Sequence, residues 1–336
     1  NVKSKIQNLN PNSRIISSLD QDFLKLLFDF NHDGYLDFAS VSTPDLNGDG
    51  KGSDVAWWEN PQGRLDADWP IHVIDANFNS YSHHHRIGDL DQDGNDGDLV
   101  LIKVTSANED CRSDSGVFVY FANDFTGTSF TKKRLGCVGD HGLDIADIDN
   151  DGDIDVITFQ HIYYNPQITG GDARNDQWIQ FQYTGEGPSD IRVVDVDDNG
   201  LKDIVWAEGH KHRVGTDGEI GVHYQDSLGN FDRKEELGSR AFAEGLDLYD
   251  LDGDGDLDMI FPELMDIHDW NAKDGIVWIK ENLGTTFVGG RETPIYTGYR
   301  MGHYLYYNPY FNSVVIHNIG ASDTGVTSLA IAELVG

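Results

Sequence analysis

The stretch DIDNDGDIDVITF, residues 147–159, sets five aspartates on alternate positions, turns on Gly152 and runs directly into apolar residues. Side chains at positions 1, 3 and 5 of such a stretch converge on one point when a glycine at position 6 permits a sharp turn. Several hard carboxylate oxygens on a short loop suit Ca²⁺ better than softer metals. Position 12 holds Thr158 and no Glu, so this is not the helix–loop–helix calcium site. The β-branched run that follows at once makes the loop a connection between two strands.

Outward from this stretch the same text recurs. Asp29 opens DFNHDGYLDFAS, Asp89 opens DLDQDGNDGDLVLI, Asp195 opens DVDDNGLKDIVWA and Asp250 opens DLDGDGDLDMIF. A sixth copy, DLNGDGKGSDVAWW, starts at Asp45 inside the first unit. The predicted metal ligands are Asp29, Asn31, Asp33 and Asp37 in the first loop, and Asp45, Asn47, Asp49 and Asp54 in the sixth copy. They continue as Asp89, Asp91, Asp93 and Asp98, then Asp147, Asp149, Asp151 and Asp155. Asp195, Asp197, Asn199 and Asp203, and Asp250, Asp252, Asp254 and Asp258, complete the set. Asp and Gly also favour plain turns, but six copies at regular spacing point to a bound cation. The five main copies start 48 to 60 residues apart, the length of one four-stranded propeller blade.

Composition agrees. Thirty-seven glycines against nine prolines, and no long segment of 3.6-residue apolar period, indicate an all-β chain; 38% hydrophobic residues suffice for a sizeable core. The formal charge of −34 repels phosphate backbones and anionic lipid, so no nucleic-acid partner is expected. The lack of an apolar run of about 18 residues excludes a membrane-inserted helix. Much of the acid is local, because the six loops hold 25 of the 58 carboxylates.

This pattern resembles the FG-GAP/VCBS repeat family of calcium-bearing β-propellers, and the resemblance covers most of the chain. It implies a propeller of four-stranded blades with structural Ca²⁺ in loops between first and second strands. Six blades are expected, with seven the alternative. The last blade is a degenerate one from Gly302, GHYLYYNPYFNSVVIHN, which lacks the acidic loop. A strand near 13–19 is expected to close the ring, making residues 1–336 one domain. Cys111 and Cys137 fall in the second unit, where either a disulfide or two free thiols is open. Calcium loops favour an extracellular, secreted setting, with any signal peptide removed.

If the acidic loops mark one end of each sheet, the chemistry belongs at the other. Residues six before the loops are His83, His141, Ser189 and Glu244, and those just beyond the second strands include His161, Glu208, His210, His212, Glu263 and His268. With His84, Tyr163, Tyr164, His303 and Tyr304 they form a predicted His/Tyr cluster at one channel mouth. Its expected acid–base residues are His83, His84, His141, His161, His210, Glu244, Tyr164 and His303. Glu208 and Tyr304 are expected to bind substrate. Three residues before successive loops stand Arg86, Asp144, Arg192 and Asp247, whose alternating charge predicts ion pairs between neighbouring inner strands. Arg86 and Arg192 are alternatively substrate-binding groups.

A His base, a Tyr or His acid and an Arg would serve a β-elimination. Residues 57–75, WWENPQGRLDADWPIHVID, followed by HHHRIGDLDQDG, resemble the propeller of fungal aldos-2-ulose dehydratases. The residue set also resembles the working arrangement of propeller polysaccharide lyases. The expected function is thus a carbon–oxygen lyase or dehydratase acting on a carbohydrate or hydroxylated small molecule. A non-catalytic lectin or adhesion propeller is the alternative, and a cyclase acting through dehydration a further one. Three of His83, His141, His161 and His210 would also make a catalytic divalent-metal site. Glu208, Glu244 and Glu263 offer a carboxylate pair for glycoside hydrolysis.

Overall fold

A computed structural model describes residues 27–41, 46, 53–64, 67–78, 80, 82, 84–103, 115–136, 142–184, 190–208, 218–240, 246–250, 255–263, 276–280, 282, 292–296, 305–307, 314–318, 321–322, 325–326 and 329–333. No helix occurs among the described residues, so none is long and apolar enough to cross a membrane. They form five antiparallel four-stranded sheets in which each strand pairs with the next in sequence.

The first sheet comprises β1 (Leu27–Phe28), β2 (Asp37–Val41), β3 (Val55–Trp58) and β4 (Ile71–Asp75). The second comprises β5 (His85–Gly88), β6 (Asp98–Lys103), β7 (Gly116–Ala122) and β8 (Phe130–Gly136). The third comprises β9 (Leu143–Ala146), β10 (Asp155–Thr158), β11 (His161–Tyr164) and β12 (Ile179–Gln182). The fourth comprises β13 (Asp190–Val194), β14 (Asp203–Ala207), β15 (Gly218–Tyr224) and β16 (Arg233–Arg240). The fifth comprises β17 (Asp247–Tyr249), β18 (Asp258–Glu263), β19 (Ile276–Lys280) and β20 (Glu292–Tyr296). The strand and loop order expected from the five main acidic repeats is therefore present.

The chain divides into two compact units. The first holds the first three sheets; the second holds the fourth, the fifth and the C-terminal strands. Those last strands include a three-stranded sheet of Leu305–Tyr307, Val314–Asn318 and Leu329–Glu333, where the degenerate repeat was expected. The expected closing segment 13–19 and both cysteines lie outside the described residues.

Sequence explains the layering. Second strands such as Leu99–Ile102 and Ile204–Ala207 are unbroken apolar runs, and β6, β10 and β14 are buried at every position. A strand covered on both faces needs no polar alternation. Leu99, Leu101 and Tyr120 of the second sheet join Phe30, Val55 and Trp57 in one core, while Val100, Val117 and Val119 join Val156, Tyr163 and Trp178 in another. In the other unit Val205, Val222 and Leu237 meet Leu246 and Met259. The outermost strand β12, by contrast, is exposed at all four positions.

One register recurs in all five sheets. The aspartate that ends each acidic loop opens the second strand and faces the residue just before the loop: Asp37 opposite Phe28, Asp98 opposite Gly88, Asp155 opposite Ala146, Asp203 opposite Val194 and Asp258 opposite Tyr249. The sixth copy departs from expectation. Its described residues, Leu46, Ser53 and Asp54, lie between β2 and β3, not between first and second strands, and so at the opposite end of the first sheet. Antiparallel strands reverse direction at each connection, so a motif displaced by one strand changes ends.

Candidate functional site

The acidic loops owe their shape to their own carboxylates. Asp at position 1 accepts the position 6 glycine N–H through Oδ2 in each main copy, at 2.8 Å for Gly34, 2.9 Å for Gly94, 3.1 Å for Gly152, 2.7 Å for Gly200 and 3.2 Å for Gly255. Position 5 closes the next turn: Asp33, Asp93, Asp151 and Asn199 each accept the N–H two residues on through Oδ1. Position 6 has φ of +95° at Gly34 and +105° at Gly152, in the left-handed region that glycine adopts without strain. Position 4 is left-handed too, at His32, Gln92, Asn150 and Asp198, a feature the sequence did not announce. The result is a short coil with carboxylates on its inner side.

The closing aspartate works differently. Its Oδ2 accepts the position 2 N–H, from Phe30 (3.0 Å), Leu90 (2.9 Å), Ile148 (3.1 Å) and Val196 (3.2 Å). Its Oδ1 accepts an N–H at the end of the third strand: Asn60 (2.7 Å), Ala122 (2.8 Å), Asn165 (2.8 Å), Gln225 (2.9 Å) and Asn282 (2.8 Å). Asp37, Asp98, Asp155, Asp203 and Asp258 are all buried. Each is thus a staple between loop and third strand as well as a candidate ligand. The sixth copy repeats the first half of the pattern, Asp54 Oδ2 accepting the Leu46 N–H at 2.9 Å.

Burial pushes these staple carboxyls up, to about 7 at Asp37 and Asp203 and about 8 at Asp98 and Asp155, although their two backbone N–H bonds pull the other way. Neighbouring loop acids add to the rise. Each of three loops brings carboxylate oxygens within 4.8 Å of one another: Asp89, Asp91 and Asp98; Asp147, Asp149 and Asp155; and Asp195, Asp197 and Asp203. Asp197 Oδ1 is sealed from solvent and accepts no hydrogen bond from the described residues. A bare buried carboxylate oxygen among other carboxylates fits a hard cation. Of the remaining predicted ligands, Asp29, Asn31, Asp33, Asp93, Asp151, Asn199 and Asp250 belong to described loops, whereas Asp45, Asn47, Asp49, Asp252 and Asp254 lie outside the described residues.

At the other ends of the sheets, the first unit carries His84 and His85 just before and at the start of β5, and His161 at the start of β11. His161 sits on a tight turn in which Thr158 Oγ1 donates to its carbonyl at 3.0 Å and accepts its N–H at 3.2 Å. Its Nδ1 is buried and finds no partner among the described residues, and burial lowers its pKa. His83, His141, His210, Glu244, His303 and Tyr304 lie outside the described residues. In the second unit Glu208 follows β14 at the corresponding end, buried, with Oε2 accepting the Glu219 N–H at 3.4 Å.

Tyr164 needs correction. It ends β11, at the acidic-loop end, where burial and then Asp155 and Asp149 raise its phenol to about 12. Three residues of extended chain cover about 10 Å, so Tyr164 and His161 stand at opposite ends of one strand. The phenol that accompanies His161 is Tyr183, whose OH donates to Thr158 O at 3.1 Å and whose N–H reaches Gln160 O. Tyr183 follows a fourth strand, which the pattern before each loop did not sample.

The charge alternation does produce ion pairs. Arg86 Nε meets Asp144 Oδ1 at 2.8 Å, and Arg192 Nε meets Asp247 Oδ1 at 3.7 Å. Asp190, overlooked in the sequence, holds Arg192 more closely, at 2.7 Å, and its other oxygen accepts the Leu246 N–H. Both arginines are buried and already hold carboxylates, which favours packing over substrate binding. The asparagines after third strands were also overlooked. Asn165 Nδ2 donates to Leu90 O, and Asn282 Nδ2 to Val196 O, each reaching the acidic loop of the preceding sheet. Their signal was the recurring text WWENP, YYNP and KENL after aromatic-rich strands.

No curated protein matches the chain. Residues 195–261, which run from the first acid of the fourth sheet's loop into β18, match the FG-GAP-like repeat family, and this part of the chain is an FG-GAP-like repeat.

Proposed function

We propose that the chain is a secreted, calcium-stabilised β-propeller of six blades, closed by its N-terminal strand, with a carbon–oxygen lyase site at the sheet ends away from its five main acidic loops. The substrate is a neutral carbohydrate or another hydroxylated small molecule. One observation supports the lyase reading: His84 and His85 stand at the non-acidic end of the second sheet and His161 and Tyr183 at that end of the third, where His161 Nδ1 is buried and finds no partner among the described residues.

The imidazole of His161 is lowered in pKa by burial, so it is neutral at pH 7 and able to take a proton. The Tyr183 phenol, raised by burial, keeps its proton and can supply it. Elimination then follows: the base removes a proton next to a carbonyl or carboxyl group, a carbon–carbon double bond forms, and the β C–O bond breaks. The acid protonates the departing oxygen. Calcium, held by loop positions 1, 3 and 5, supplies rigidity only.

A panel of neutral polysaccharides and ketosugars, followed by the ultraviolet absorbance of an unsaturated product, tests this. His161→Gln should lower turnover by about 10²- to 10⁴-fold, the usual worth of a general base. Unchanged turnover after joint replacement of His141, His161 and His210 would refute the site. The lectin alternative draws on β12, whose exposed Ile179 and Phe181 alternate with Gln180 and Gln182, an apolar and hydrogen-bonding surface suited to a sugar. Several equal sugars bound per chain, with no product, would favour it.

A further inference from the structure

Three acidic loops share a geometry, but their surroundings differ. In the Asp89 and Asp147 loops, Oδ1 of positions 3 and 5 accepts backbone N–H groups inside the loop, leaving Oδ2 of those residues for a cation. In the Asp147 loop, Asp149 Oδ1 accepts Asp151 N–H and Asp151 Oδ1 accepts Asp153 N–H. No Lys or Arg pairs with either residue among the described residues. In the Asp195 loop one exposed guanidinium, Arg233, reaches Asp197 Oδ2 at 3.4 Å.

The Asp89 loop is filled. Arg174, from the connection between β11 and β12, pairs through Nε with Asp91 Oδ2 and through Nη2 with Asp93 Oδ2 at 3.0 Å. These are the two oxygens that the loop leaves over after Asp91 Oδ1 and Asp93 Oδ1 have accepted N–H groups. The fork is held in place as well: Nη1 donates to Asn123 Oδ1 at 2.6 Å and Nη2 to Ala122 O at 2.9 Å. Phe121 lies 5.4 Å below the guanidinium. The backbone that carries it is fixed. Ala173 is fully buried, its carbonyl takes Trp178 Nε1 and Lys133 Nζ, and Arg174 N–H donates to Asp172 Oδ1 at 2.9 Å. A planar fork with four acceptors on a fixed backbone is a built site, unlike a solvated surface pair.

We propose that Arg174 is the resident cation of the Asp89 loop, occupying the oxygens a divalent ion would use, so that calcium enters this loop only by displacing the guanidinium. The Asp89 loop is then the weakest calcium site among the described acidic loops, and the second sheet keeps two of its loop carboxylates paired when calcium is scarce. This rests on the calcium reading of the loops.

The test is a titration with CaCl₂ alone, by calorimetry, on the wild-type chain and Arg174→Gln. The variant's weakest class of sites should tighten by about tenfold, since two charge-assisted bonds no longer compete. Without calcium the variant should melt lower than wild type, and at saturating calcium the two should converge. A second readout uses wild type only: the NMR signal of the Arg174 Nε–H should shift in the last, weakest phase of the titration. Identical affinities in both proteins, or an Arg174 signal that shifts with the first equivalent or never, would overturn the proposal while leaving calcium binding intact. No binding in either protein would overturn the calcium reading itself, and this inference with it.

Discussion

Two aspartates four residues apart in the same loop do different work. Asp155 is buried and takes backbone N–H groups from Ile148 and Asn165, whereas Asp151 is partly exposed and lends the loop one oxygen. Asp155→Asn replaces one acceptor with a donor and leaves a buried N–H unsatisfied, so it should cost about 1–3 kcal/mol of stability with or without calcium. Asp151→Asn should leave the calcium-free melting temperature within a few degrees and instead weaken calcium binding. Urea unfolding in chelator and in calcium separates the two effects. The sequence made both residues legible as acids of one motif. It did not tell staple from ligand, because that depends on an N–H ten residues downstream on another strand. Tyr164 was misread for a related reason: proximity to His161 in sequence is distance along an extended strand.

At the scale of the element, the loop-plus-hairpin unit stores unfavourable charge. In the calcium-free protein Asp37, Asp98, Asp155 and Asp203 have folded pKa values of about 7 to 8, above their ordinary range, chiefly through burial. A raised carboxyl is bound more tightly to its proton in the folded state, so its contribution to stability is full below the unfolded pKa and disappears as pH rises through the folded one. Chelated protein should therefore melt higher near pH 5 than near pH 9, and calcium should flatten that profile; melting scans across pH in both conditions check it. A second prediction concerns β7. Gly116 has φ of +127°, and a Cβ there would strike the Gly136 carbonyl of β8. Gly116→Ala should destabilise by a few kcal/mol, measured by chemical unfolding. The five main loops and their strands were legible because a motif and an apolar run recur together. The 45–54 copy was placed at the wrong end because its text matches the others and only the count of strands before it differs.

For the whole molecule, the charge of −34 is concentrated in loops that carry their own counter-ion requirement. One guanidinium, Arg174, already answers that requirement in the second sheet. The repeats, sheet order and acidic ends could be read from spacing alone. The histidine ends were readable only in outline, because Tyr183 and Asp190 sit outside the positions sampled by the motif. If cations hold the loops, each occupied site adds about 2.7 kcal/mol at a hundredfold excess over its Kd. Thermal unfolding in excess chelator and in millimolar CaCl₂ tests that claim most directly. A melting temperature that climbs steadily with calcium and falls on chelation is the predicted result; superimposable curves in the two conditions would contradict the account.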